Sequence, residues 1–341
     1  MKVLVTGASS LIGAGVVTSL TRRGESVVTF QRRAVPGLEA DSSIEQLKGD
    51  IRDREDLGRA AAGCDAIIHL AAKVGVAGTW EEYRSINVEG TANVVAVAAE
   101  HGIGRVVHVS SPSVAHGGEP IIGGPADPPV LGRRRAWYPE SKAMAEIGAL
   151  AAASDSLGLV AIRPHLVWGP GDTQLVGRIV ERAKAGRLTL VGGGRALVDT
   201  TYTDNAIEAL VAALDSVAPA AACSGRAYVI SNGEPRPIRE LVAGICHAAA
   251  VPFEPRSVSL RAGQTIGSIV ERVWPVVRRG AEPPLTRFVA DQLGTAHWFD
   301  PRPAKDDLGW SPGVSIDEGL NRLERWYRQG ASALDQPSRV C

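Results

Sequence analysis

Val3-Leu4-Val5-Thr6-Gly7-Ala8-Ser9-Ser10-Leu11-Ile12-Gly13 carries the clearest structural pattern in the chain. A short apolar run ends in a turn of small residues, and a helical apolar pattern runs on from Ile12 to Leu20. This reads as a buried strand, a tight turn and a helix. Small residues at Gly7, Ser9, Ser10 and Gly13 let the backbone approach a pyrophosphate, and the helix opened by Leu11 and Ile12 favours negative charge at its N-terminus. No charge appears between Lys2 and Arg22, as in a signal peptide or a short membrane span. Thr6, Gly7, Ser9, Ser10, Gly13, Gly15, Thr18 and Ser19 interrupt any continuous apolar block, so a soluble, unprocessed, cytoplasmic protein is expected.

Further apolar runs at 27–30, 66–70, 105–109 and 159–162 alternate with helical patterns at 55–62, 90–101 and 138–153. Strands alternating with helices predict an α/β fold of the Rossmann type, a doubly wound parallel sheet that binds ligands outside the carboxyl ends of its strands. Past residue 170 the pattern loosens. A helix over 175–185 leads to Gly192-Gly193-Gly194, elements within 198–231 return to the sheet, and prolines mix with apolar residues over 252–303. The expected division is a dinucleotide-binding domain over 1–170, with those returning elements, and a smaller C-terminal substrate lobe over most of 171–330. Ser315 and Glu318 form the pattern of a capping box that opens a last helix through Trp326.

The 341 residues carry 37 basic and 37 acidic side chains, which argues against a nucleic-acid partner. Only six cations are lysine. Cys64, Cys223, Cys246 and Cys341 are scattered without paired metal spacing, so inert thiols and no metal site are expected. Ile266, Ile269, Val270, Val273 and Val277 recur at helical spacing among Arg272, Arg278 and Arg279, but Pro275 argues against one regular helix. That segment reads as ordinary packing of the lobe, or as a lid or entrance for an apolar ligand that touches a membrane or a partner enzyme.

The second strand ends in Gln31-Arg32-Arg33 with no carboxylate to accept a ribose hydroxyl, and arginine pairs well with a phosphate dianion, so NADP(H) is expected over NAD(H). Asp50-Ile51 follows a short strand and is placed to meet the adenine edge. His69-Leu70-Ala71-Ala72 closes the next strand, where small residues let a dinucleotide pass. Asn87 is placed to tie the following helix to the active-site strand. Tyr138 and Lys142 stand at i and i+4, on one helix face. A fixed ammonium there favours the phenolate and draws the tyrosine toward the working pH range.

Taken together, these stretches resemble the extended short-chain dehydrogenase/reductase superfamily. TGASSLIG at 6–13, GDIRD at 49–53, HLAA at 69–72, NVEGTANV at 87–94, VSSPSVAHG at 109–117, YPESK at 138–142 and RPHLVWGPGD at 163–172 stand in the expected order. Ser10 takes a position that the superfamily usually gives to glycine. The match is closer to the 3β-hydroxysteroid dehydrogenase-like branch. AAKVGVAG at 71–78, VDTTYTDNA at 198–206, ISNGEP at 230–235 and PPLTRFVADQLGTAHWFD at 283–300 resemble the 2-alkyl-3-oxoalkanoate reductases of bacterial long-chain olefin synthesis. Sterol-4α-carboxylate 3-dehydrogenases share much of this pattern.

The resemblance implies Ser111 as catalytic serine, with Ser113 near enough to take that role, Tyr138 as acid/base, Lys142 as its partner and Asn87 completing a proton relay. It places Pro164, His165 and Val167 along the nicotinamide carboxamide, and Leu70, Ala71, Ala72 and Lys73 beside the dinucleotide. The implied substrate is a hydrophobic β-keto or β-hydroxy acid, whose carboxylate Lys73 or Arg195 would grip, with Ser113 also near it. His69 and His165 read as packing residues rather than catalysts. Homo-oligomers and contact with other olefin-pathway enzymes are further expectations. Three alternatives stand beside the reductase: a 3β-hydroxysteroid or sterol-4α-carboxylate dehydrogenase, an epimerase or dehydratase of nucleotide sugars, and a dinucleotide-sensing regulator without chemistry. The apolar substrate lobe argues against the nucleotide sugar, and the intact tyrosine–lysine pair against the sensor.

Overall fold

The computed structural model describes residues 1–38, 41–75, 77–116, 119–132, 136–277 and 286–330. Seven strands form the main sheet: β1 (Lys2–Thr6), β2 (Ser26–Gln31), β3 (Ile44–Lys48), β4 (Ala66–His69), β5 (Arg105–Val109), β6 (Gly158–Pro164) and β7 (Arg226–Ile230). Every pairing is parallel, in the order β7-β6-β5-β4-β1-β2-β3. The order reverses between β1 and β4, and at such a reversal the connecting loops part to leave a crevice. The expected Rossmann-type sheet is therefore present.

Burial on both faces explains the unbroken apolar runs. Val3 and Val5 pack with Val16, Val17, Leu20 and Leu210 on one side, and Leu4 packs with Leu57, Val94 and Val97 on the other. Such a strand has no polar side to show. The helices lie within a few residues of their expected bounds: Arg54–Ala61, Gly90–Glu100, Trp137–Leu150 and Val176–Lys184.

A second sheet holds Arg236–Pro237, Leu197–Val198, His297–Phe299 and Ile121–Gly124, in that order. Ile121–Gly124 comes from the segment between Ser111 and Tyr138, and it pairs in parallel with His297–Phe299. The C-terminal part is thus stitched to the segment that leads into the Tyr138 helix. It has a core of its own, which includes Trp168, Val176, Leu241, Ile245 and Leu323.

Two local expectations need correction. Ser315 Oγ accepts from the Glu318 N–H and caps the helix Ile316–Arg328, but the Glu318 carboxylate turns to Arg322 and Arg325 instead of closing the box. A complete box forms at Thr79 and Glu82, opening the short helix Trp80–Tyr83. The second correction concerns Pro275, which does not break its segment. One helix runs over Leu260–Val277, through the position of the proline. Glycines form the inner face of this helix: a β-carbon on Gly267 would stand 2.4 Å from the Arg287 nitrogen. Ile266, Ile269 and Val273 point outward, 44%, 55% and 51% exposed. Arg278, Arg279 and Cys341 lie outside the described residues, as do the side chains of Arg272, Pro275 and Val277. No described helix is long and apolar enough to cross a membrane.

Ser10 shows why the missing glycine is tolerated. Its φ of −79° needs no glycine, and its hydroxyl caps the helix Leu11–Arg22 by accepting from the Gly13 N–H at 3.0 Å. Ser10→Ala should therefore cost about 1 kcal/mol, whereas Ser10→Gly should cost only a few tenths, as read from chemical denaturation. A larger loss for glycine than for alanine would contradict the capping role.

Candidate active site

The turn after β1 is packed too tightly for side chains. Gly7 has φ +78°, and a β-carbon there would stand 2.7 Å from the Ala71 nitrogen; one on Gly13 would stand 2.4 Å from the Gly7 oxygen. The chain itself thus requires both glycines, and Ser9, Ser10 and Leu11 are left exposed at the helix N-terminus, with Ile12 half-buried behind them. At the end of β2, Gln31 is buried and its amide donates to Thr29, while Arg32 and Arg33 are exposed. The Asp50 carboxylate is held by Arg52 at 2.7 and 3.0 Å, and that hydrogen bond keeps its pKa below the ordinary range. Ile51 is buried behind it. An exposed helix N-terminus beside two arginines is a donor set that suits a dinucleotide phosphate.

Beyond β4 the chain is clamped by its neighbours. His69 lies between Thr6 and Thr91, with ring nitrogens 2.7 and 3.0 Å from their hydroxyls, and burial and the Lys142 charge lower its pKa to about 3. It is a neutral packing residue. Leu70 and Ala71 donate their N–H groups to the Thr6 carbonyl and hydroxyl, and Ala72 is half-buried next to them. Lys73 donates its N–H to Asn87 Oδ1 at 2.7 Å, and Asn87 Nδ2 donates back to the Lys73 carbonyl at 3.0 Å. The same Nδ2 donates to Ser141 Oγ at 2.9 Å. Asn87 therefore ties the turn after β4 to the helix that carries Tyr138. It sits in a π-helical segment, Arg84–Glu89, a distortion that recurs at functional sites. Ser141 was not singled out from the sequence, although its place beside Lys142 within YPESK was a signal for it.

Ser111 follows β5 closely. Its hydroxyl is 2.8 Å from that of Ser113, and it lies near enough to the Tyr138 phenol to act on its ionisation. Burial pushes the Tyr138 pKa up, and the Ser111 hydrogen bond opposes the rise. Lys142 is buried one turn below, with its ammonium donating to the Val109 carbonyl at 2.5 Å. Burial lowers its pKa to about 8. Tyr138 and Lys142 share one helix face, as their spacing predicts, but the group that acts on the phenol here is Ser111, while the ammonium faces the end of β5.

The remaining candidates lie apart from this cluster or behind it. The Lys73 ammonium is 3.7 Å from Glu82 and lies over the Tyr83 ring, so it is engaged with its own loop. Arg195 is exposed, and its Nε donates to the Gly192 carbonyl at 3.3 Å. Pro164 ends β6, Val167 is half-buried, and His165 is buried edge-to-face on His297 and Phe299 at 4.8 and 5.2 Å, where burial drives its pKa far down. Around the Tyr138 helix runs an apolar rim that the sequence did not reveal. Val74, Val130, Leu131 and Trp137 are exposed, and the Trp137 ring packs on Trp80 at 5.6 Å. The backbone ties this rim to the site: the Val130 N–H donates to the Val114 carbonyl at 2.9 Å, and the Gly132 N–H donates to Glu140 at 2.9 Å.

Comparison with known proteins gives this geometry a family. A 2-alkyl-3-oxoalkanoate reductase of Stenotrophomonas maltophilia (strain K279a) is 47% identical over 95% of this chain and 98% of its own length. Another protein of that name, from Shewanella oneidensis, is 38% identical over 94% of this chain and 84% of its own. Among solved structures, MoeE5 in complex with UDP-glucose and NAD superposes with a TM-score of 0.74 at 25% identity, covering 97% of this chain and all of that one. The sequence model of the 3-beta hydroxysteroid dehydrogenase/isomerase family matches residues 4–257. The chain belongs to that family, and it is an oxidoreductase of the extended short-chain dehydrogenase/reductase type.

Proposed function

We propose that the protein uses NADPH to reduce the 3-keto group of 2-alkyl-3-oxoalkanoic acids to 2-alkyl-3-hydroxyalkanoic acids. The observation that carries the reading is the grouping of Ser111, Tyr138 and Lys142, with Ser111 opposing the rise of the Tyr138 pKa and Lys142 buried one turn below, in a chain 47% identical to a reductase of that name. The exposed rim of Val74, Val130, Leu131 and Trp137 suits alkyl chains better than a nucleotide sugar. When bound, the dinucleotide supplies the hydride. Tyr138 and Ser111 donate hydrogen bonds to the ketone oxygen as negative charge grows on it, and Tyr138 then releases its proton to that oxygen. Lys142 holds positive charge beneath them. Lys73, engaged here with Glu82, and Arg195, which has no ion pair among the described residues, are the two candidates to grip the carboxylate. The exposed Ile147 on the Tyr138 helix suits association with a second copy. The outward stripe of Ile266, Ile269 and Val273 suits contact with other olefin-pathway enzymes.

Loss of the phenol should separate chemistry from binding. Tyr138→Phe should abolish turnover while NADPH affinity, read by fluorescence titration, stays within a few-fold. Ser111→Ala should slow turnover more than Ser113→Ala, because Ser111 is the serine that acts on the Tyr138 phenol. The opposite ranking would move the role to Ser113.

Arg32→Ala should weaken NADPH much more than NADH. A charge-assisted phosphate contact is worth about 1.5–3 kcal/mol, roughly one to two orders of magnitude in affinity. Equal losses for the two dinucleotides would remove the NADP(H) assignment. The substrate reading itself is tested with a panel: 2-alkyl-3-hydroxy acids should support NADP⁺ reduction, and the matching secondary alcohols without a carboxylate should be poor. Efficient oxidation of 3β-hydroxysteroids with no action on these acids would favour the steroid dehydrogenase reading.

A further inference from the structure

Tyr138, Lys142 and Glu146 follow one another at intervals of four on the helix Trp137–Leu150, so they share a face. Glu146 is completely buried and pairs with Arg163 of β6, which is 1% exposed. The pairing is bidentate, with Arg163 Nε at 2.9 Å and Nη2 at 2.5 Å from the two carboxylate oxygens. The third guanidinium nitrogen, Nη1, donates to the Asp127 carbonyl at 2.8 Å. One buried cation thus holds the catalytic helix, the sheet just before Pro164 and His165, and the loop that carries the apolar rim.

Stability does not account for such a pair, because apolar side chains of similar volume often serve a core as well or better. What an apolar pair cannot supply is charge. The groups around the Lys142 ammonium come from three elements. His69 on β4 and His108 on β5 are kept neutral by burial and by the lysine itself. The Val109 carbonyl accepts the ammonium proton, and Tyr138 and Glu146 stand on its own helix. Glu146 is the carboxylate that acts on the lysine, opposing the burial that lowers its pKa.

We propose that Glu146, neutralised on its far side by Arg163, is a positioning residue that keeps the Lys142 ammonium charged beneath Tyr138. Arg163 serves the same end by holding the Glu146 carboxylate in place through two hydrogen bonds in a fully buried site. The inference rests on the reading above that Lys142 serves the dinucleotide and Tyr138. Lys142 titrates near 8 and must be protonated to act, so function should decline as pH rises through that value. Without Glu146 the supporting charge is gone, and the decline should begin at lower pH.

The test compares wild type with Glu146→Gln and with the apolar double variant Glu146→Leu/Arg163→Met. NADPH affinity is followed by fluorescence titration from acid to alkaline pH, with turnover of a 2-alkyl-3-hydroxy acid measured in parallel. The alkaline limb of both profiles should move down by about one pH unit in each variant, a tenfold change in the protonation ratio. The double variant should recover thermal stability without recovering the limb. Glu146→Gln leaves a buried, unpaired Arg163; if it fails to fold, the double variant alone decides. A double variant with the wild-type profile would reduce the pair to a structural role and overturn the proposal. Wild-type protein that bound neither NADPH nor NADH would instead overturn the cofactor reading, and this inference with it.

Discussion

Between the turn that follows β1 and the turn that follows β4 there is no room for a β-carbon, and the site is laid out from that seam. Gly7 approaches Ala71 so closely that the two turns share hydrogen bonds through Thr6. The next residues inherit their positions: Lys73 is fixed to Asn87 by a reciprocal pair of bonds, and Asn87 holds Ser141 one residue from Lys142. A backbone contact at the centre of the sheet thereby sets where a helix more than sixty residues later presents its tyrosine. The links are short bonds between backbone atoms and stiff side chains, so little slack accumulates along them.

Burial governs the electrostatics of this region more than pairing does. The tyrosine is driven up and the lysine down by the same loss of solvent, and the two histidines under the lysine are kept neutral. In such surroundings one charge has a long reach, because little water remains to screen it. A single buried carboxylate can therefore matter as much as the many surface ion pairs, most of which contribute little.

Much of this was legible in the sequence because it depends on local chemistry. Strands buried on both faces must be apolar throughout, so Val3 to Val5 and the runs like it could hardly be read otherwise. A helix repeat places Tyr138 and Lys142 on one face whatever surrounds them. What local pattern could not show was direction and partnership. Lys142 turns toward Val109, Lys73 toward Glu82, and Glu318 toward two arginines, and each choice depends on groups brought near by the fold. The Pro275 expectation failed for a related reason. The helix Leu260–Val277 is packed at Gly267 against the backbone of Thr286 and Arg287, a contact that periodicity does not record.

The short strand Ile121–Gly124 gives the architecture a property that sequence order conceals. It leaves the first half of the chain to pair with His297–Phe299 in the second, while β7 returns from the second half to extend the sheet of the first. The two halves are interleaved, each finishing a sheet that the other began. Neither can be excised as an independent module without exposing an unpaired strand edge of the kind that recruits other chains. During synthesis, the segment between Ser111 and Tyr138 must wait for its partner strand until residues 297–299 have been made. The segment that leads into the Tyr138 helix is thus completed only by a strand made far later in the chain.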